Sequence, residues 1–600
     1  MEWRFGRMTA NHKFIDIVHK LGLNGSPLEG VYRRIQDREL FFAAYGKLYV
    51  NQGAMTKGTD PQDIVDGMSV KRVDTIIEKL KNGVYKWKPV KRTYIPKNSK
   101  GTRPLGLPTW SDKLLQEVIR MVLEAYYEPR FSEYSHGFRP NRGCHTAIQQ
   151  IHYTWTGTKW FIEGDIKGCY DNIEWYVLLE ILGRDIKDNR FIKLIRKMLK
   201  AGYMENWKYH KTYSGTPQGG VVSPILSNIL LNELDKFVEE KLLPVYNIGI
   251  TKASNPEYIR IKSKRQRAKA KGNNEEAEKL MQIMRKLPSR NTKDPNYLRL
   301  KYNRYADDFI LGFDGPHAKA VEIKEKIGEF LKTLKLQMSE EKTLITSATK
   351  APARYLGYDI RVAIDNNRIT NGMRALNMNI VLKVPEEVIR QSSKKYTKSG
   401  KTVHRSELMQ CSDIEIVKAY DTELRGIVNY YSLADNVSRF YKVKYLAIDS
   451  AAKTLAAKHK QRKTWVYRKY MQKNEGLRHL SVTAENPKYP DNPYIATLGK
   501  GPIRVNKTAI VTDDVKQFFS GRNELVKRML ADKCEICGAN GDVEVHHIKK
   551  LADIKKRYEG RKDPPPWIKF MIARNRKTIV VCKKCHVDIH GGRYDGPKVK

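Results

Sequence analysis

Helical and strand-like patterns of apolar residues follow one another in five stretches of the chain. Residues 1 to about 85 have the apolar spacing of amphipathic helices, interrupted by glycine-rich breaks. From about 86 to 365, short β-branched or aromatic runs alternate with helical stretches, which is typical of a mixed α/β domain. The pattern is helical from 366 to 475, and clustered proline and glycine predict a linker over 476–530. The last stretch, 531–600, is a compact segment rich in cysteine and histidine.

Three shorter patterns within this frame predict individual elements. A turn at 98–101 between two strand-like runs predicts a hairpin. The segment SDKLLQEVIRMVLEAYYEP predicts a helix that begins at Ser111 and ends before Pro129. An insertion near 247–298 includes YIRIKSKRQRAKAKG, in which seven of fifteen residues are basic. It predicts an exposed helix, and its lack of balancing acids leaves a contact with nucleic-acid backbone open.

The charge of the chain indicates its class of partner. Its 600 residues include 111 Lys plus Arg and 66 Asp plus Glu, a net charge of +45, while 40% are hydrophobic. This composition is that of a folded protein with a positive surface, for which nucleic acid is the commonest partner. No apolar run of ~18 residues is present, and the start, MEWRFGRMTA, lacks a signal-peptide core. We therefore expect no membrane partner and a bacterial cytoplasmic location.

One basic stretch also carries aromatic residues. Residues 437–473 contain eleven Lys or Arg and a single acid, Asp449. Cations that hold phosphates and rings that stack on bases together suit a single-stranded nucleic acid. The interleaved rings are those of Tyr441, Tyr445, Trp465, Tyr467 and Tyr470.

Three aspartates form the strongest chemical signal. Asp165 ends an apolar strand in FIEGDIKGCYDNI, and Asp307 and Asp308 occupy a turn between two hydrophobic runs in NRYADDFILGF. Polynucleotide synthesis can use two Mg²⁺ ions about 3.5–4 Å apart, which activate a 3′-hydroxyl and stabilise the leaving oxygens. Mg²⁺ prefers hard oxygen ligands, so two or three aspartates on neighbouring strands suffice. The pattern therefore predicts a polymerase metal site.

The C-terminal segment has the spacing of metal ligands. Two Cys-x-x-Cys pairs predict a tetrahedral Zn²⁺ site with a structural role; they are Cys534, Cys537, Cys582 and Cys585. His586 and His590 lie four residues apart, so on a helix they share a face and can hold one ion. His546 and His547 follow an alternating strand that points them to opposite sides. One of them can therefore complete a metal site while the other faces a substrate.

Taken together, these motifs resemble those of group II intron-encoded proteins, which combine a reverse transcriptase and maturase with a C-terminal HNH endonuclease. YADD at 305–308 resembles the reverse transcriptase signature, and ELRGIVNYYSLADN resembles the maturase segment. The other motifs, in the family's order, are TRPLGLPTWSDKLLQE, SHGFRPNRGCHTAI, FIEGDIKGCYDNI, SGTPQGGVVSPILSNI, MSEEKTLIT and ARYLGYDI.

The resemblance implies a multidomain fold. It consists of a helical RNA-binding N-terminal extension (1–85), an α/β right-hand polymerase with fingers and palm (86–365) and an α-helical thumb/maturase domain (366–475). A linker or DNA-binding region (476–530) then leads to a zinc-stabilised ββα-metal HNH module (531–600).

The resemblance also implies roles for residues at the polymerase site. Asp165, Asp307 and Asp308 would hold the catalytic Mg²⁺, with the Ile166 carbonyl as a further ligand. Lys342 is a candidate acid for the departing pyrophosphate, with a solvated surface lysine as the alternative.

Four further positions would bind the incoming dNTP. Tyr170 would exclude a 2′-hydroxyl, and Lys97 and Arg103 would hold the triphosphate. Gln218 would contact the nucleotide.

For the HNH module, the resemblance implies a divalent ion, expected to be Mg²⁺, held by His546, His586 and His590. His547 would be the general base that activates water on a DNA phosphate. One position departs from the family, since Lys577 stands where an asparagine is usual, and Asn575 lies two residues earlier. A zinc ribbon that only binds is the alternative.

The predicted function is that of an RNA-directed DNA polymerase and maturase of a mobile group II intron. Its partners would be the intron RNA, target DNA and dNTPs, and a homodimer is left open. The protein would assist splicing, nick target DNA and copy RNA from the nick. The main alternative is a splicing maturase whose polymerase or nuclease is inactive. A homing nuclease and a retroviral or defence reverse transcriptase fit less well, because they leave the polymerase residues or the maturase segment unexplained.

Overall fold

The computed structural model describes residues 12–51, 53–96, 101–216, 219–370, 373–474, 476–485, 491–510, 524–548, 568, 571 and 577–591. Within these ranges, no helix is both long enough and apolar enough to cross a membrane.

Helices occur along the whole described chain. They are α1 (His12–Leu23), α2 (Val31–Arg34), α3 (Arg38–Leu48), α4 (Val70–Lys81), α5 (Trp110–Tyr127), α6 (Cys144–Thr154), α7 (Cys169–Asn172), α8 (Trp175–Asp185), α9 (Asn189–Leu199), α10 (Ser223–Phe237), α11 (Leu243–Tyr246), α12 (Pro256–Ala270), α13 (Asn274–Lys286), α14 (His317–Thr333), α15 (Glu386–Lys394), α16 (Asp413–Tyr430), α17 (Phe440–Lys458), α18 (Lys463–Tyr470), α19 (Glu524–Leu530) and α20 (Lys583–Gly591). Short 3-10 turns cover Glu128–Arg130, Ser406–Leu408 and Val437–Arg439, and a π-helical turn covers Val238–Leu242.

The strands form several small sheets. They are β1 (Val90–Pro96), β2 (Thr102–Leu107), β3 (Trp160–Asp165), β4 (Tyr203–Glu205), β5 (Lys208–His210), β6 (Arg299–Tyr305), β7 (Asp308–Asp314), β8 (Ile345–Ser347), β9 (Ala353–Tyr355), β10 (Tyr358–Thr370), β11 (Met373–Lys383), β12 (Thr397–Lys398), β13 (Lys401–Thr402), β14 (Met471–Asn474), β15 (Leu477–Ala484), β16 (Tyr494–Leu498), β17 (Val543–His547) and β18 (Thr578–Cys582).

A four-stranded antiparallel sheet, here called the central sheet, has the order β6-β7-β3-β8. Helices α10 and α14 pack on it, and their apolar residues share one core with the sheet and with the N-terminal helices. Ile162 and Leu311 face this core, whereas their neighbours Phe161 and Ile310 belong to a second core, because successive side chains of a strand point to opposite faces of the sheet. The mixed α/β pattern expected between 86 and 365 is therefore confirmed.

The hairpin expected near residue 100 is present, because β1 and β2 pair antiparallel; the turn itself falls outside the described residues. The following helix, α5, begins at Trp110, one residue earlier than predicted. Ser111 does not start it: its amide and hydroxyl both donate to Asp63 Oδ1, at 3.1 and 2.9 Å. This contact lies 48 residues away in the sequence, so no local pattern could reveal it.

The helical pattern expected from 366 to 475 is wrong at its beginning. Strands β10 and β11 form a long antiparallel hairpin there, in which alternate residues such as Ile360, Val362, Ile380 and Leu382 are buried. This period-two burial identifies a strand, whereas the helical pattern resumes at α15. The predicted linker is also partly structured, because β14, β15 and β16 form a sheet. That sheet contacts α16 and shares its core.

The basic insertion is helical, as predicted. Helices α12 and α13 pack on each other and lie in the chain between α11 and β6. Only Ile261 and Ala268 of α12 are buried, so its basic side chains are left on the surface.

The described part of the C-terminal segment, 524–591, will be called the C-terminal module. Strands β17 and β18 pair antiparallel and contact α20, which gives the ββα order. A small core lies beneath the cysteines. Residues of α19 and β17 join the main core instead, beside Tyr45 and Met68.

A buried ion pair joins the central sheet to α10. The Arg304 guanidinium donates to both carboxylate oxygens of Asp235, at 2.7 and 2.5 Å, and both side chains are fully buried. The same guanidinium donates to Ser135 Oγ at 2.8 Å, and Tyr302 donates its hydroxyl to Asp235 at 2.8 Å. Every polar group of the pair is thus hydrogen-bonded, which is the condition for burying charge.

Replacing Asp235 with alanine should therefore destabilise this region strongly. Removing one partner leaves an uncompensated buried charge, which costs about 3–5 kcal/mol. Hydrogen–deuterium exchange of the amides in α10 and β6 would measure the loss. As a matched control, Glu180→Ala removes an exposed carboxylate paired with Arg184, and should change stability by less than about 1 kcal/mol. Equal effects of the two substitutions would contradict this account.

Candidate active sites

The three predicted aspartates come together at one end of the central sheet. In the antiparallel pair β3–β7, Asp165 lies directly opposite Asp308. Asp307 occupies the two-residue turn between β6 and β7, in which Ala306 has a φ of 55°. Directly opposed residues have Cβ atoms about 4.5–5.5 Å apart, so the two carboxylates share one site.

The pKa values at this site reflect burial of the carboxylates and the repulsion between their negative charges. Loss of hydration, then the charges of Asp307 and Asp165, raise the pKa of Asp308 to about 7. Loss of hydration also raises the pKa of Asp307, although Arg103 and Lys342 oppose that shift. A divalent cation bound among these carboxylates would relieve the repulsion. The donor set, all oxygen, fits Mg²⁺.

Lys342 lies in contact with this site. Its Nζ donates to Asp165 Oδ2 at 2.8 Å, and this hydrogen bond raises the pKa of the lysine. The sequence alone left a solvated surface lysine as the alternative. The contact with Asp165 favours a role at the site, although 61% of the lysine side chain remains exposed.

Arg304 and the segment around Gly137 support the turn that carries Asp307. Arg304 donates to the Ala306 carbonyl at 2.8 Å, so the buried ion pair also positions the turn. The SHGFRP motif packs against it: a Cβ added to Gly137 would lie only 2.5 Å from the Ala306 amide nitrogen. Asn228 of α10 donates to the Gly137 carbonyl at 2.8 Å. The absence of a side chain at Gly137 thus allows two motifs distant in the sequence to touch.

The structure describes some of the residues that were expected to bind the nucleotide and not others. Arg103, on the exposed part of β2, lies close enough to act electrostatically on Asp307. Ile166 is buried directly after Asp165. Lys97 and Gln218 lie outside the described residues.

Tyr170 lies in α7, five residues after Asp165. Its carbonyl accepts a hydrogen bond from the Thr216 amide at 2.8 Å, which joins the SGTPQGG loop to α7. A Cβ at Gly215 would lie 2.8 Å from the same carbonyl, and Gly215 has a φ of 84°, so glycine is required there. Burial raises the pKa of the Tyr170 hydroxyl, with the Asp307 charge adding to it. The backbone of Tyr170 is therefore held by this loop, and its hydroxyl lies close enough to Asp307 to sense its charge.

The four cysteines of the C-terminal module form one cluster. Their sulfur atoms all lie within 4.8 Å of one another, and those of Cys537 and Cys582 are 3.8 Å apart. Zn–S bonds of about 2.3 Å at tetrahedral angles place sulfurs about 3.8 Å apart. The described geometry therefore fits a closed tetrahedral thiolate site.

A second cluster, called here the histidine cluster, consists of Asp66, His546, His586 and His590. Asp66 Oδ2 lies 2.7 Å from His590 Nε2 and 3.3 Å from His586 Nε2, and Asp66 Oδ1 lies 3.5 Å from His546 Nδ1. The three histidines were predicted from their spacing. Asp66 was not, and it comes from the segment between α3 and α4, 520 residues before His586.

Glu544 supports the orientation of one of these ligands. Its Oε2 lies 2.7 Å from His586 Nδ1, which leaves Nε2 to face the cluster. Metal-bound histidines usually donate their second nitrogen to a carboxylate in this way. Glu544 was not among the residues predicted from the sequence. It lies two residues before His546 on the same strand, so alternation places both side chains on one face.

The charges of the histidine cluster depend on each other. Burial would raise the pKa of Asp66, but hydrogen bonds with His546 and His586 outweigh it and hold that pKa below its ordinary value. Burial would lower the pKa of His586, but Asp66 and Glu544 raise it to about 9. A metal cation held by the imidazoles would take over this electrostatic pairing with Asp66.

His547 lies on the opposite side of β17 from its neighbour, as alternation predicts, but it does not face an open surface. Only 5% of its side chain is exposed, and its Nε2 lies 3.0 Å from the Tyr45 hydroxyl. Burial lowers the pKa of His547 to about 4, so the ring is neutral. The alternation of β17 predicts that this face meets a substrate, but in the folded chain Tyr45 of α3 covers it.

Lys577, which stands where the family usually has asparagine, takes part in a hydrogen bond through its backbone. The carbonyl of Lys577 accepts a hydrogen bond from the Ile548 amide at 3.0 Å, next to His547. Asn575 lies outside the described residues.

The predicted basic and aromatic surface is exposed only in part. Of its rings, Tyr445 is 71% exposed, whereas Trp465, Tyr467 and Tyr470 are half-buried. Asp449, the single acid, is largely buried and accepts hydrogen bonds from Lys463 and Tyr467, so it orders this surface.

Three protein-family models match this chain in succession. Residues 95–256 and 277–360 match "Reverse transcriptase (RNA-dependent DNA polymerase)". Residues 378–492 match "Type II intron maturase". Residues 534–586 match "AI2M/AI1M-like, HNH endonuclease".

Similar whole proteins come from bacteria and fungi. The "Group II intron-encoded protein LtrA" of Lactococcus lactis subsp. cremoris is 40% identical over 585 residues, covering 93% of this chain and 94% of that protein. The "Uncharacterized 91 kDa protein in cob intron" of Schizosaccharomyces pombe is 34% identical and covers 93% of this chain and 69% of that protein. The "Putative COX1/OXI3 intron 1 protein" of Saccharomyces cerevisiae is 33% identical, with coverage of 93% and 68%.

The close contact at Gly137 leads to a prediction that can be tested without a substrate. Gly137→Ala should destabilise the turn that carries Asp307, because a side chain forced into a filled space costs about 1–3 kcal/mol. Gly183→Ala is the matched control: Gly183 lies in α8 with open space around its Cβ position, so alanine should stabilise by about 1 kcal/mol or less. Hydrogen–deuterium exchange of β6 and β7 would measure the difference. Unchanged exchange in Gly137→Ala would contradict the packing described here.

Proposed function

We propose residue roles and bound ions for this chain, which belongs to the family of group II intron-encoded proteins. The chain is a reverse transcriptase and intron maturase with an HNH endonuclease domain. Both enzyme families generally use divalent metal ions. Which side chains hold those ions, and what each does, is inferred below from the geometry.

The polymerase site is inferred to comprise Asp165, Asp307 and Asp308. The observation that carries this inference is the register of β3 and β7, which places Asp165 opposite Asp308 beside a turn bearing a third carboxylate. Two Mg²⁺ ions bound there would activate a primer 3′-hydroxyl and stabilise the leaving pyrophosphate. The Ile166 carbonyl is proposed as an additional ligand.

The remaining residues of this site position the nucleotide. Tyr170, fixed by the SGTPQGG loop, would block the space of a 2′-hydroxyl. Arg103, with Lys97 and Gln218, would hold the triphosphate, since a guanidinium matches phosphate oxygens. Lys342 lies at hydrogen-bonding distance from Asp165, which supports the proposal that it donates a proton to the pyrophosphate.

The C-terminal module is proposed to bind two ions. The cysteine cluster would hold Zn²⁺ and close the fold. The histidine cluster would hold the divalent ion of the nuclease, with His547 as the base that accepts a proton from water. Three imidazoles suit a transition metal better than the Mg²⁺ expected from the resemblance.

The nucleic-acid partners are proposed to be intron RNA and target DNA. Exposed basic side chains of α12, and the surface around Tyr445, support RNA contacts. Strands β14 and β15 fall within the matched maturase segment, and the sheet that they form with β16 contacts α16, so we assign this sheet to the thumb. The bacterial relative supports the bacterial cytoplasm as the location.

Primer extension on an RNA template with dNTPs and Mg²⁺ tests the polymerase site. Asp308→Ala removes one carboxylate from the shared site, so we expect extension to be lost, by about 10³-fold or more if ion binding fails, equivalent to about 4 kcal/mol. Glu180→Gln changes an exposed carboxylate on α8 and should extend like the parent protein. Extension by Asp308→Ala at the parent rate would refute the assignment.

Zinc content tests the cysteine cluster. Cys537→Ser removes one thiolate, so the purified protein should lose one equivalent of zinc, and α20 should exchange its amide hydrogens faster. Cys411→Ser is the matched control, because Cys411 lies outside the cluster. Unchanged zinc content in Cys537→Ser would exclude the proposed site.

A further inference from the structure

The C-terminal module contacts the N-terminal part of the chain through the strand that carries its histidines. One edge of β17 pairs with β18. Along the other edge, the Gly67 amide donates to the Val545 carbonyl at 3.1 Å, and the Val545 amide donates to the Met68 carbonyl at 2.9 Å. The segment between α3 and α4 thus adds a short strand-like bridge to the module.

Apolar packing extends this contact beyond the backbone. Val65, Met68 and Val545 are fully buried, as are Tyr45 of α3 and Met529 of α19. They belong to a single hydrophobic core that also includes α5. The two parts of the chain therefore bury a dry, shared surface, unlike a loose contact between polar side chains.

The bridge places Asp66 inside the histidine cluster. The Asp66 carboxylate is 7% exposed, accepts a hydrogen bond from the His547 amide at 2.7 Å, and turns its second oxygen toward His586 and His590. Three imidazoles and this carboxylate make four donors, a complete set for a tetrahedral ion. A nuclease ion needs an open position for the oxygen of a DNA phosphate, and with an ion bound here Asp66 would fill that position with its own anionic oxygen.

The proposed base is covered by the same surface. His547 Nδ1 lies 3.1 Å from the Val545 carbonyl, which can only accept, so Nδ1 carries the ring proton. Its Nε2 then accepts from the Tyr45 hydroxyl, 3.0 Å away. Neither ring nitrogen is left for a water molecule, and the side chain is almost fully buried.

We propose that this arrangement is a closed form of the nuclease, in which Asp66 occupies the phosphate position on the metal ion and Tyr45 covers His547. DNA cleavage then requires the segment between α3 and α4 to separate from β17. The proposal rests on the nuclease role inferred above for the histidine cluster. It adds that the N-terminal region, remote in sequence, controls access to that site.

Substitutions at the two covering side chains test the closure in the full-length protein. Asp66→Ala opens the fourth position, and Tyr45→Phe removes only the hydroxyl on His547. With supercoiled plasmid DNA as probe, each variant should nick faster than the parent in Mg²⁺ or Mn²⁺. A loss of about 1.4 kcal/mol of docking free energy would raise the open fraction, and the nicking rate, about tenfold.

Two readouts independent of nicking accompany the assay. The amides of β17 should exchange faster in Asp66→Ala, because the bridge to Met68 is weakened. The same variant should bind Mn²⁺ more weakly by titration calorimetry, because one donor is gone. Asp60→Ala is the matched control: Asp60 lies on the same segment but pairs with Lys88, and should behave like the parent in all three measurements.

The outcomes separate the closure from the nuclease role. Nicking at the parent level in both variants, although it is lost in His590→Ala, would overturn the closure. Loss of nicking together with weaker Mn²⁺ binding in Asp66→Ala would also overturn it, since Asp66 would then be a ligand of the active site. Nicking that is absent from every variant, or equal in His590→Ala and the parent, would instead overturn the nuclease role.

Discussion

The buried pair of Arg304 and Asp235 is the constraint on which the polymerase site depends. Charge without access to water is stable only when every hydrogen bond is made, and this pair meets that condition with Tyr302 and Ser135. Because Arg304 also holds the Ala306 carbonyl, the geometry that satisfies the ion pair is also the geometry that presents the aspartates. Stability of the core and precision of the site therefore arise from one interaction.

The two proposed catalytic centres use buried charge differently. At the polymerase site, burial and the neighbouring carboxylates raise the pKa of Asp308 to about 7. A bound cation would reduce the repulsion between these carboxylates. In the histidine cluster, a carboxylate lies among imidazoles, since Asp66 Oδ2 is 2.7 Å from His590 Nε2 and 3.3 Å from His586 Nε2. The first centre thus gathers charges of one sign, whereas the second pairs a carboxylate with imidazoles of the protein itself.

This difference follows from where each centre lies. The aspartates stand at the end of the central sheet, with exposed residues of β2 beside them. The histidines stand on a strand whose second edge is paired with the N-terminal segment. A polymerase must accept successive nucleotides, while a nuclease that cuts once gains selectivity if its site is covered until DNA is correctly bound.

The sequence by itself determined the chemistry that depends on local spacing. Asp165 at a strand end, the Asp307–Asp308 turn and the Cys-x-x-Cys pairs could be predicted because strands, turns and helices place neighbouring residues in known directions. The hairpin β10–β11 was missed, because a helical pattern over the whole stretch outweighed its alternation. Asp66 and Tyr45 could not be found, since only tertiary packing brings residues some 500 positions apart into contact. Tertiary structure alone decided that Asp66 joins the histidine cluster and that Tyr45 contacts His547, because burial and the pairing of a strand edge are properties of the assembled chain.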